Sequence, residues 1–476
     1  MIGLLDLGCS ERILTQGIAE RNSASIGERS ERAVLYSQTT SRHINGQAII
    51  GFHVCRFPSI LIYEAMDRVT MPRLYAIAFI TLFAVRYLRA FVHIIVFYFL
   101  LRSPKLPTDP VYRSSDVTVV VPSVLDSDIF ETLESIARNK PHQILLVVTE
   151  DNVAVANELQ RCLEYKGLVI VPVSQLGKRV QMVAGIKRVQ TPVTVFSDDD
   201  VVCPPNYFSY LLAPFNDPRV GAAGTKQRVK RDPRPSVWNM LGIAYLERRN
   251  FNTITTNYID GSVSTLSGRT AAYRTEILKR DDFFDFFIND QFLGKQIRTG
   301  DDKRLTMGVF SSGWRIRITY TEEAVLYTSL DEGVQFLHQC LRWARSHWQG
   351  NAAVVANESY WWRRHTWSAY AVYFSSLMTP AILVDGTLYY LLKQSLLGQP
   401  ERFVWYAMTA LVIFTLLQKT VKLWPHFFRH PSDLKFIPIL LAFSYLHGFI
   451  NIYALLTMTA NRWGGRSTIA DEVAHM

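Results

Sequence analysis

The sequence has few charged residues for its length. Charged side chains make up 19% of its 476 residues, whereas apolar side chains reach 49% and the mean hydropathy is +0.07. The chain also lacks internal repeats and low-complexity segments. This composition is too apolar for an ordinary soluble enzyme and too polar for membrane helices alone, so a soluble domain joined to a membrane part fits best.

The cysteines and the N-terminus lack the marks of a secreted protein. The cysteines form no C-x-x-C pair and no even set, which argues for reduced thiols facing the cytosol rather than a disulfide framework. The start, MIGLLDLGCSER, has neither a basic beginning nor a long apolar run, so we expect no signal peptide. The cysteines are Cys9, Cys55, Cys162, Cys203 and Cys340.

Basic residues outnumber acidic residues, which gives a formal net charge of +10. Such an excess is typical of proteins that bind nucleic acid, an anionic membrane face or a phosphorylated substrate. No nucleic-acid motif accompanies the charge, and Lys and Arg cluster beside apolar segments. We therefore expect cytosolic flanking charge beside membrane lipid, and no nucleic-acid partner.

The N-terminal part predicts a tail followed by a membrane helix. Residues 1–70 mix Ser, Arg and Glu without periodicity, as a disordered tail does. Residues 71–102 contain an apolar run that is long enough to cross a bilayer at about 20 residues per crossing. Because arginine is costly inside a membrane, Arg86 and Arg89 predict a tilted helix facing protein, or a span preceded by an interfacial half.

Residues 103–332 have the sequence pattern of a cytosolic α/β domain. The runs VTVVVPS, QILLVVT, GLVIVPV and PVTVFSDDD are short and rich in β-branched residues, with helical stretches between them. This alternation predicts a mostly parallel sheet. Ligands of such sheets bind at the carboxyl ends of the strands, which is where the acidic cluster after PVTVF lies.

The C-terminal part predicts an interfacial segment, membrane helices and a tail. Three apolar segments follow one another, and the more basic linker lies after the second, so the positive-inside rule makes the first two a hairpin. The third is either a span or a re-entrant or interfacial segment, because polar residues interrupt it. The predicted parts are 333–365 (amphipathic helices), 366–459 (with apolar segments 366–392, 403–423 and 434–459) and 460–476 (cytosolic tail).

An acidic triplet follows the run PVTVFS. Asp198, Asp199 and Asp200 would repel one another unless a cation lay among them, and alternate residues of an extended segment point to the same side. Asp198 and Asp200 would then suit Mg²⁺ or Mn²⁺, which prefer oxygen ligands and share them with phosphates. A helix N-cap with an acidic first turn is the alternative.

Other polar motifs are weak when taken singly. Asp301 and Asp302 in GDDKRLT could supply a general base for an acceptor hydroxyl or could simply cap a helix. Lys178 and Arg179 follow a glycine and enter a helix, where they could contact phosphate or a uracil carbonyl, although surface Lys-Arg pairs are common. The segment QFLHQCLRWARSHWQGN predicts an amphipathic helix at a membrane surface.

The succession of these motifs is specific. G-K-R, D-x-D, S-G with Y-R, G-D-D and Q-x-x-R-W appear in this order before the membrane helices. The chain resembles the processive family 2 glycosyltransferases, such as hyaluronan, chitin and cellulose synthases, and most closely the fungal hyaluronan-synthase-like (capsular polysaccharide synthase-like) branch. The resemblance covers roughly residues 74–470 and implies a GT-A-like α/β nucleotide-sugar transferase domain with a mostly parallel sheet, inserted between transmembrane α-helices.

The resemblance also implies residue roles. Asp302 would be the catalytic base, with Asp301 supporting it, and Asp200 and Asp198 would hold the divalent cation. The implied donor residues are Glu150, Asp151, Lys178, Arg179, Asp198, Arg342, Trp463 and Arg466. The implied acceptor residues are Gln339, Trp343, Ser267 and Gly268. Two motifs depart from the family pattern, with SGRTAAYR in place of S-G-P-L-G-x-Y-R and W-G-G-R in place of W-G-T-R.

The function implied by the resemblance is an inverting, membrane-bound transferase that adds sugar from a UDP-sugar to a growing polysaccharide and extrudes it. The implied cofactor is Mn²⁺ or Mg²⁺, and the implied location is the plasma membrane, as a multi-pass protein with a cytosolic catalytic domain and a role in cell wall or extracellular polysaccharide synthesis. One alternative is transfer of a single sugar to a lipid acceptor. A third hypothesis is a non-catalytic membrane scaffold or transporter. The intact acidic motifs argue against it.

Overall fold

The structure is a computed structural model, and its chain divides into two compact units, Met1–Thr70 and Met71–Met476. In the first unit, β1 (His43–Ile44) and β2 (Gln47–Ala48) form a short antiparallel pair. The structure describes residues 43–44, 47–48, 59–125, 129–292, 294–296, 300–357, 363–378 and 380–459.

Strands and helices alternate through the middle of the second unit, as the sequence predicts. The strands that follow β2 are β3 (Val117–Pro122), β4 (Gln143–Thr149), β5 (Leu168–Val173), β6 (Val193–Ser197), β7 (Val201–Val202), β8 (Val220–Thr225), β9 (Gln227–Val229), β10 (Thr270–Arg274), β11 (Gln291–Phe292), β12 (Lys295–Gln296), β13 (Arg315–Thr319) and β14 (Leu326–Thr328). The helices, from the N-terminus, are α1 (Ser59–Ile95), α2 (Ile129–Arg138), α3 (Val153–Cys162), α4 (Lys178–Arg188), α5 (Tyr207–Leu212), α6 (Val237–Asp260), α7 (Thr275–Leu278), α8 (Phe283–Ile288), α9 (Asp301–Ser311), α10 (Gly333–Asn357), α11 (Thr366–Ser368), α12 (Ala381–Ser395), α13 (Glu401–Thr420), α14 (Trp424–Arg429) and α15 (Ile437–Leu456).

The central sheet has seven strands in the order β13-β8-β10-β6-β3-β4-β5. Strands β6, β3, β4 and β5 pair in parallel, and β13 pairs in parallel with β8. Strand β10 runs antiparallel to both of its neighbours, β6 and β8. The prediction of an α/β domain with a mostly parallel sheet is therefore confirmed.

Helices cover both faces of this sheet because its strands are apolar on both sides. In β3, Val119 and Val121 belong to one buried cluster, and Val120 belongs to the other. This alternation follows from the two-residue repeat of a strand. Leu133 of α2 packs into the first cluster, and Ile186 of α4 packs into the second. The layered packing fixes the carboxyl ends of the strands at one edge of the sheet.

Within the described residues, three helical stretches are long and apolar enough to cross a membrane: Thr70–Leu100, Glu401–Arg429 and Pro431–Leu456. The first agrees with the predicted segment 71–102, although helix α1 itself begins at Ser59, inside the part predicted to be a tail. Its two arginines bond to backbone carbonyls of the protein. Arg86 donates to the Met378 carbonyl, and Arg89 donates to the Ala371 carbonyl.

The C-terminal apolar segments differ from one another in helical continuity. The first apolar segment, 366–392, is interrupted by the π-helical Ala369–Phe374 and by a turn before Pro380, so it is not one continuous helix. The third segment, for which the sequence left a span or a re-entrant or interfacial segment open, contains α15, which runs without a break from Ile437 to Leu456. Its polar side chains do not interrupt the helix. Asn451 bonds to the ring and the carbonyl of His447 within the helix instead.

Candidate active site

The carboxyl edge of the sheet brings the predicted motifs together. The acidic triplet begins directly after β6. Because β10 runs antiparallel to β6, the segment before β10 lies beside the end of β6, and the Asp198 amide donates to the Arg269 carbonyl at 2.9 Å. Ser267 and Gly268 are thereby held next to the triplet. The S-G motif therefore reaches the site because β10 runs antiparallel to β6.

Lys178 connects three of the motifs. It is the first residue of α4, and its Nζ lies 2.6 Å from Asp198 Oδ1 and 3.3 Å from Asp301 Oδ2. Burial lowers the pKa of Lys178, but the Asp198 and Asp301 carboxylates outweigh burial and hold this pKa above its ordinary range. The lysine therefore remains charged and links the end of β6 to the start of α9.

Asp200 has the features of a cation ligand. Among the described residues its Oδ1 is buried and accepts no hydrogen bond. Burial, together with the neighbouring Asp198 carboxylate, raises the pKa of Asp200 to about 7. A buried carboxylate oxygen that is ionised and accepts no hydrogen bond is energetically unfavourable, and a bound divalent cation would offset this cost. Asp199 is instead anchored, because its Oδ2 accepts from the Ser123 hydroxyl at 2.6 Å.

Within the described residues, no set of three or more His, Cys, Asp or Glu side chains is arranged to hold a metal. This finding is compatible with a catalytic Mg²⁺ or Mn²⁺, because such ions use one or two carboxylates together with substrate phosphates. The open oxygen of Asp200 therefore fits a cation that arrives with a diphosphate.

Asp301 and Asp302 begin helix α9 after Gly300, which adopts a left-handed φ of +74°. Burial raises the pKa of Asp302, and the neighbouring Asp301 adds to the effect. A raised pKa suits a carboxylate that must take up a proton. Gly268 lies directly against this pair, since a Cβ at Gly268 would come within 3.3 Å of the Asp302 Cβ and 3.7 Å of Lys178 Nζ. A side chain at this position would require Asp302 to shift by a few tenths of an ångström.

Helix α10 carries the Q-x-x-R-W motif to the same place. A Cβ at Gly300 would meet Ser346 Oγ at 2.7 Å, and Lys303 Nζ donates to Asn351 Oδ1 at 2.9 Å. This close packing and this hydrogen bond hold the start of α9 against α10. Burial lowers the pKa of Lys303 to about 8.

The motif residues on α10 are half-buried. Among the described residues, Gln339 Oε1 is buried without a hydrogen-bond donor. The Trp343 ring lies 5.0 Å from the Tyr245 ring, and the Arg269 guanidinium lies 5.3 Å from the Trp343 ring centroid. Arg342 lies on the same helix, one residue before Trp343. The indole is therefore fixed in orientation by an aromatic and a cationic neighbour.

Three residues that were predicted to bind the sugar donor do not join the cluster around Lys178. Arg179 is buried and donates to the Phe287 carbonyl and to Asp290, so it ties α4 to α8. Glu150 and Asp151 are exposed in the turn after β4, at the same sheet edge but beyond β3. The nucleotide-binding roles of these three residues stay predictions. The remaining two, Trp463 and Arg466, lie outside the described residues.

Sequence reasoning missed a set of polar residues behind the site. Ser267 Oγ donates to Gln227 Oε1 at 3.0 Å and accepts from Arg249 Nη1 at 3.2 Å. Arg269 Nη1 also donates to Gln227 Oε1, at 3.3 Å. The one available signal was the arginine that follows S-G, where the resembled family has proline. Arg249, which lies inside the apolar helix α6, gave no such signal.

Replacing Lys178 by glutamine should move the acid limb of the pH–rate profile to higher pH. The Lys178 charge lowers the pKa of both Asp200 and Asp302, so without that charge each carboxyl holds its proton to a higher pH. Sugar transfer measured from pH 5 to 9 tests this. The exposed Lys393→Gln serves as the control, and an unmoved acid limb in the Lys178 variant would show that the lysine does not tune these acids.

Comparisons with known proteins agree with the site. Residues 114–346 match the family described as glycosyltransferase like family 2. A type 2 glycosyltransferase of Pyricularia oryzae is 36% identical over 84% of this chain and 83% of its own length. Hyaluronan synthase 3 of Homo sapiens is 24% identical over 62% of this chain and 51% of its own length.

A solved structure has a similar fold. The mannosyltransferase PcManGT from Pyrobaculum calidifontis, in complex with GDP-Man and Mn²⁺, aligns with 83% of this chain and 100% of its own length, with a TM-score of 0.52 and 16% identity. At that identity the likeness establishes the fold, and the relative from Pyricularia oryzae establishes the family. This chain belongs to the family 2 glycosyltransferases.

Proposed function

We propose that the protein is an inverting transferase that moves a sugar from a UDP-sugar to a growing polysaccharide at the membrane. The observation that carries this proposal is the Lys178 bridge, which joins Asp198 of the triplet to Asp301 of G-D-D in one site. A donor diphosphate and an acceptor hydroxyl need such adjacency, because the acceptor oxygen, deprotonated by the base, attacks the same sugar carbon that the diphosphate leaves.

Asp200 and Asp198 would hold Mn²⁺ or Mg²⁺ with the donor diphosphate. When bound, the ion neutralises charge on the leaving diphosphate. Lys178 adds a fixed positive charge beside Asp198. Arg342 would offer a planar guanidinium to phosphate oxygens, a geometry that suits bidentate binding. The uridine contacts of Glu150 and Asp151, and the closing role of Trp463 and Arg466, belong to the same proposal.

Asp302 would take the proton from the acceptor hydroxyl as that oxygen attacks the anomeric carbon. Its raised pKa makes it a better proton acceptor than an ordinary carboxylate. Direct attack opposite the leaving diphosphate inverts the configuration at that carbon. Gly268 leaves room for the acceptor beside Asp302, and Trp343 presents an indole on which a pyranose ring can pack.

The placement of helix α10 supports a membrane location. Three stretches of the described chain could cross a bilayer, and α10 packs against the last of them. An acceptor held at Gln339 and Trp343 would thus leave the site toward the membrane helices. The plasma membrane, a multi-pass topology, a cytosolic catalytic domain and extrusion of the polymer are parts of the proposal.

Transfer of a single sugar to a lipid is the alternative function. The two differ in product length, so membranes containing the protein should be incubated with radiolabelled UDP-sugars and the products separated by size. We expect chains of many sugars, which an Asp302→Asn variant does not make. A product that carries one added sugar and partitions into organic solvent would favour the lipid acceptor.

Helix α15 gives a testable topology. Its Phe443 ring lies 5.7 Å from Phe336 of α10, and beyond its end Thr457 Oγ1 accepts from Arg345 at 3.0 Å. Before its start, Asp433 pairs with Arg231 of the catalytic domain at 2.8 Å. Since its two ends bond to the catalytic domain and to the interfacial helix α10, we propose that α15 stays on the cytosolic side.

Ser467→Cys in a cysteine-free background tests this topology. The substituted position lies outside the described residues and close to Arg466, for which the sequence predicts a cytosolic place. We expect no labelling by a membrane-impermeant thiol reagent added to intact cells, and labelling after permeabilisation. Labelling of intact cells, with cytosolic control cysteines unlabelled, would contradict the prediction.

A further inference from the structure

The segment that contains the S-G motif lies between helix α6 and helix α9. On one side, Arg249 of α6 donates from Nη2 to the Thr265 carbonyl at 3.4 Å and from Nη1 to Ser267 Oγ at 3.2 Å. On the other side, the Leu266 amide donates to Thr306 Oγ1 of α9 at 2.9 Å. The segment therefore connects Arg249 to the helix that begins with the G-D-D acids.

The same segment touches Asp302 itself. A Cβ at Gly268 would come within 3.3 Å of the Asp302 Cβ, so the backbone of the motif packs directly against this side chain. Thr306 Oγ1, which accepts from the segment, donates to the Asp302 carbonyl at 2.7 Å. A shift of the S-G segment away from α6 would therefore disturb the contacts that orient Asp302.

Arg249 also acts on Asp302 through its charge. Burial and the neighbouring Asp301 raise the pKa of Asp302, whereas the charges of Arg249 and Lys178 lower it, Arg249 more than Lys178. Without Arg249, Asp302 would hold its proton to a higher pH. The charged and titratable groups around Asp302 are Asp301 and Lys303 of α9, Lys178 of α4, Arg249 of α6 and Tyr273 of β10.

A purely structural role does not require a charge at position 249. Within the described chain, Arg249 bonds to neutral oxygens and forms no ion pair. Two residues earlier on α6, Glu247 Oε1 is compensated by Arg228 Nε at 3.3 Å and by Arg429 Nη2 at 2.8 Å. A partly buried cation without a counter-charge is unfavourable, and a neutral side chain could donate to the same oxygens. The arginine is explained if the acid on which its charge acts is Asp302.

We propose that Arg249 is a positioning residue for the catalytic base. Through the S-G segment it holds Asp302 in the orientation that receives the proton of the acceptor hydroxyl, and through its charge it favours the ionised form of Asp302. The proposal rests on the proposed transferase function, in which Asp302 is that base. Since Arg249 acts through Asp302, its effect on the reaction should disappear when Asp302 is no longer a base.

A double-mutant cycle tests this dependence. Purified full-length protein in nanodiscs receives Mn²⁺ and individual UDP-sugars, and the rate of UDP release at saturating UDP-sugar is measured at neutral pH. Arg249→Gln should lower this rate by roughly tenfold in the wild-type background but by less than about twofold in the Asp302→Asn background. Equal fold-losses in the two backgrounds would overturn the proposal, because Arg249 would then act independently of Asp302.

The pH–rate profile separates the charge of Arg249 from its hydrogen bonds. In Arg249→Gln the acid limb should move to higher pH, because the pKa of Asp302 rises when a positive charge is removed. Arg249→Lys keeps the charge but loses the guanidinium geometry, so its acid limb should stay in place while its rate falls at every pH. An acid limb that stays in place in Arg249→Gln, or that moves equally in both variants, would contradict the proposal.

Arg234→Gln is the matched control, because it removes the same charge from an exposed position just before α6. It should leave both the rate and the acid limb unchanged. Calorimetric titration with UDP and Mn²⁺ reports whether each variant keeps its fold and its donor site. Arg249→Gln should bind UDP within about threefold of wild type. Loss of UDP binding in this variant would also contradict the proposal, because Arg249 would then serve the donor site or the fold rather than the base.

UDP release by the wild type separates the two claims. Release in wild type, with losses in Arg249→Gln that do not depend on Asp302, contradicts the Arg249 proposal alone. The absence of release with every UDP-sugar contradicts the transferase function and, with it, the role of Asp302 on which the proposal rests.

Discussion

Asp200→Asn should abolish sugar transfer and remove the cation dependence of UDP binding while leaving the protein folded. The substitution keeps the size of the side chain but replaces a buried, unpaired carboxylate oxygen, the feature that fits Mn²⁺ or Mg²⁺. Calorimetric titration with UDP, with and without Mn²⁺, measures the effect. The exposed Asp281→Asn should behave as wild type.

The same substitution has a predicted effect on stability without metal. Burial and Asp198 raise the folded-state pKa of Asp200 to about 7, above its ordinary value. The ionised form is therefore disfavoured in the folded state, so the wild type loses stability as the pH rises from 3.8 to about 7, and the loss is complete above that value. In EDTA at pH 8, Asp200→Asn should melt at the same temperature as wild type or higher. Normal Mn²⁺-dependent UDP affinity in the variant would refute the metal assignment.

Asp302→Asn should lower the transfer rate by roughly 10²- to 10⁴-fold, the usual effect of losing a positioned general base. Donor binding should survive, because the variant leaves Lys178, Asp198 and Asp200 in place. Asp301→Asn is an informative comparison. Its carboxylate lies 3.3 Å from Lys178 Nζ, so its loss should weaken donor binding as well. Rate constants from single-turnover experiments at saturating donor separate the two effects.

The pH dependence provides a second measure of the same assignment. Because the pKa of Asp302 is raised, the wild-type rate should fall as the pH decreases through that raised value, at which the base becomes protonated. The residual activity of Asp302→Asn should no longer show this fall with decreasing pH. A variant that no longer binds UDP, yet turns over normally for each bound donor, would show that Asp302 binds the donor instead of acting as the base.

The fold was predictable because its signals are local. Short β-branched runs separated by helical stretches predicted the parallel part of the sheet, and the carboxyl ends of those strands predicted the site. The antiparallel β10 carries no such signal, although it brings Gly268 and Arg269 beside Asp198. Strand direction here depends on long-range pairing, which periodicity does not encode.

The motifs predicted which residues belong to the candidate site, but they did not predict which of these residues touch one another. Asp198, Asp301 and Lys178 were each marked as candidates, yet the lysine that joins both acids follows only from the packing of α4 and α9. Arg179 illustrates the opposite case. It was grouped with Lys178 as an adjacent basic residue, and successive helical residues point in different directions, so its guanidinium reaches Asp290 instead.

The continuity of the apolar segments could not be predicted from the sequence for a physical reason. Polar residues in an apolar run can mark a break, but short polar side chains can also bond to the preceding turn of their own helix, as Asn451 does. The actual interruption lies before Pro380, which cannot continue a preceding helix.

Release of UDP by the purified protein tests the central claim most directly. Full-length protein in nanodiscs should be incubated with individual UDP-sugars and Mn²⁺, beside Asp302→Asn and a sample in EDTA. We predict UDP release with at least one UDP-sugar for wild type, reduced by roughly 10²-fold or more in Asp302→Asn and lost in EDTA. Absence of release with every UDP-sugar, or equal release by wild type and Asp302→Asn, would contradict the account.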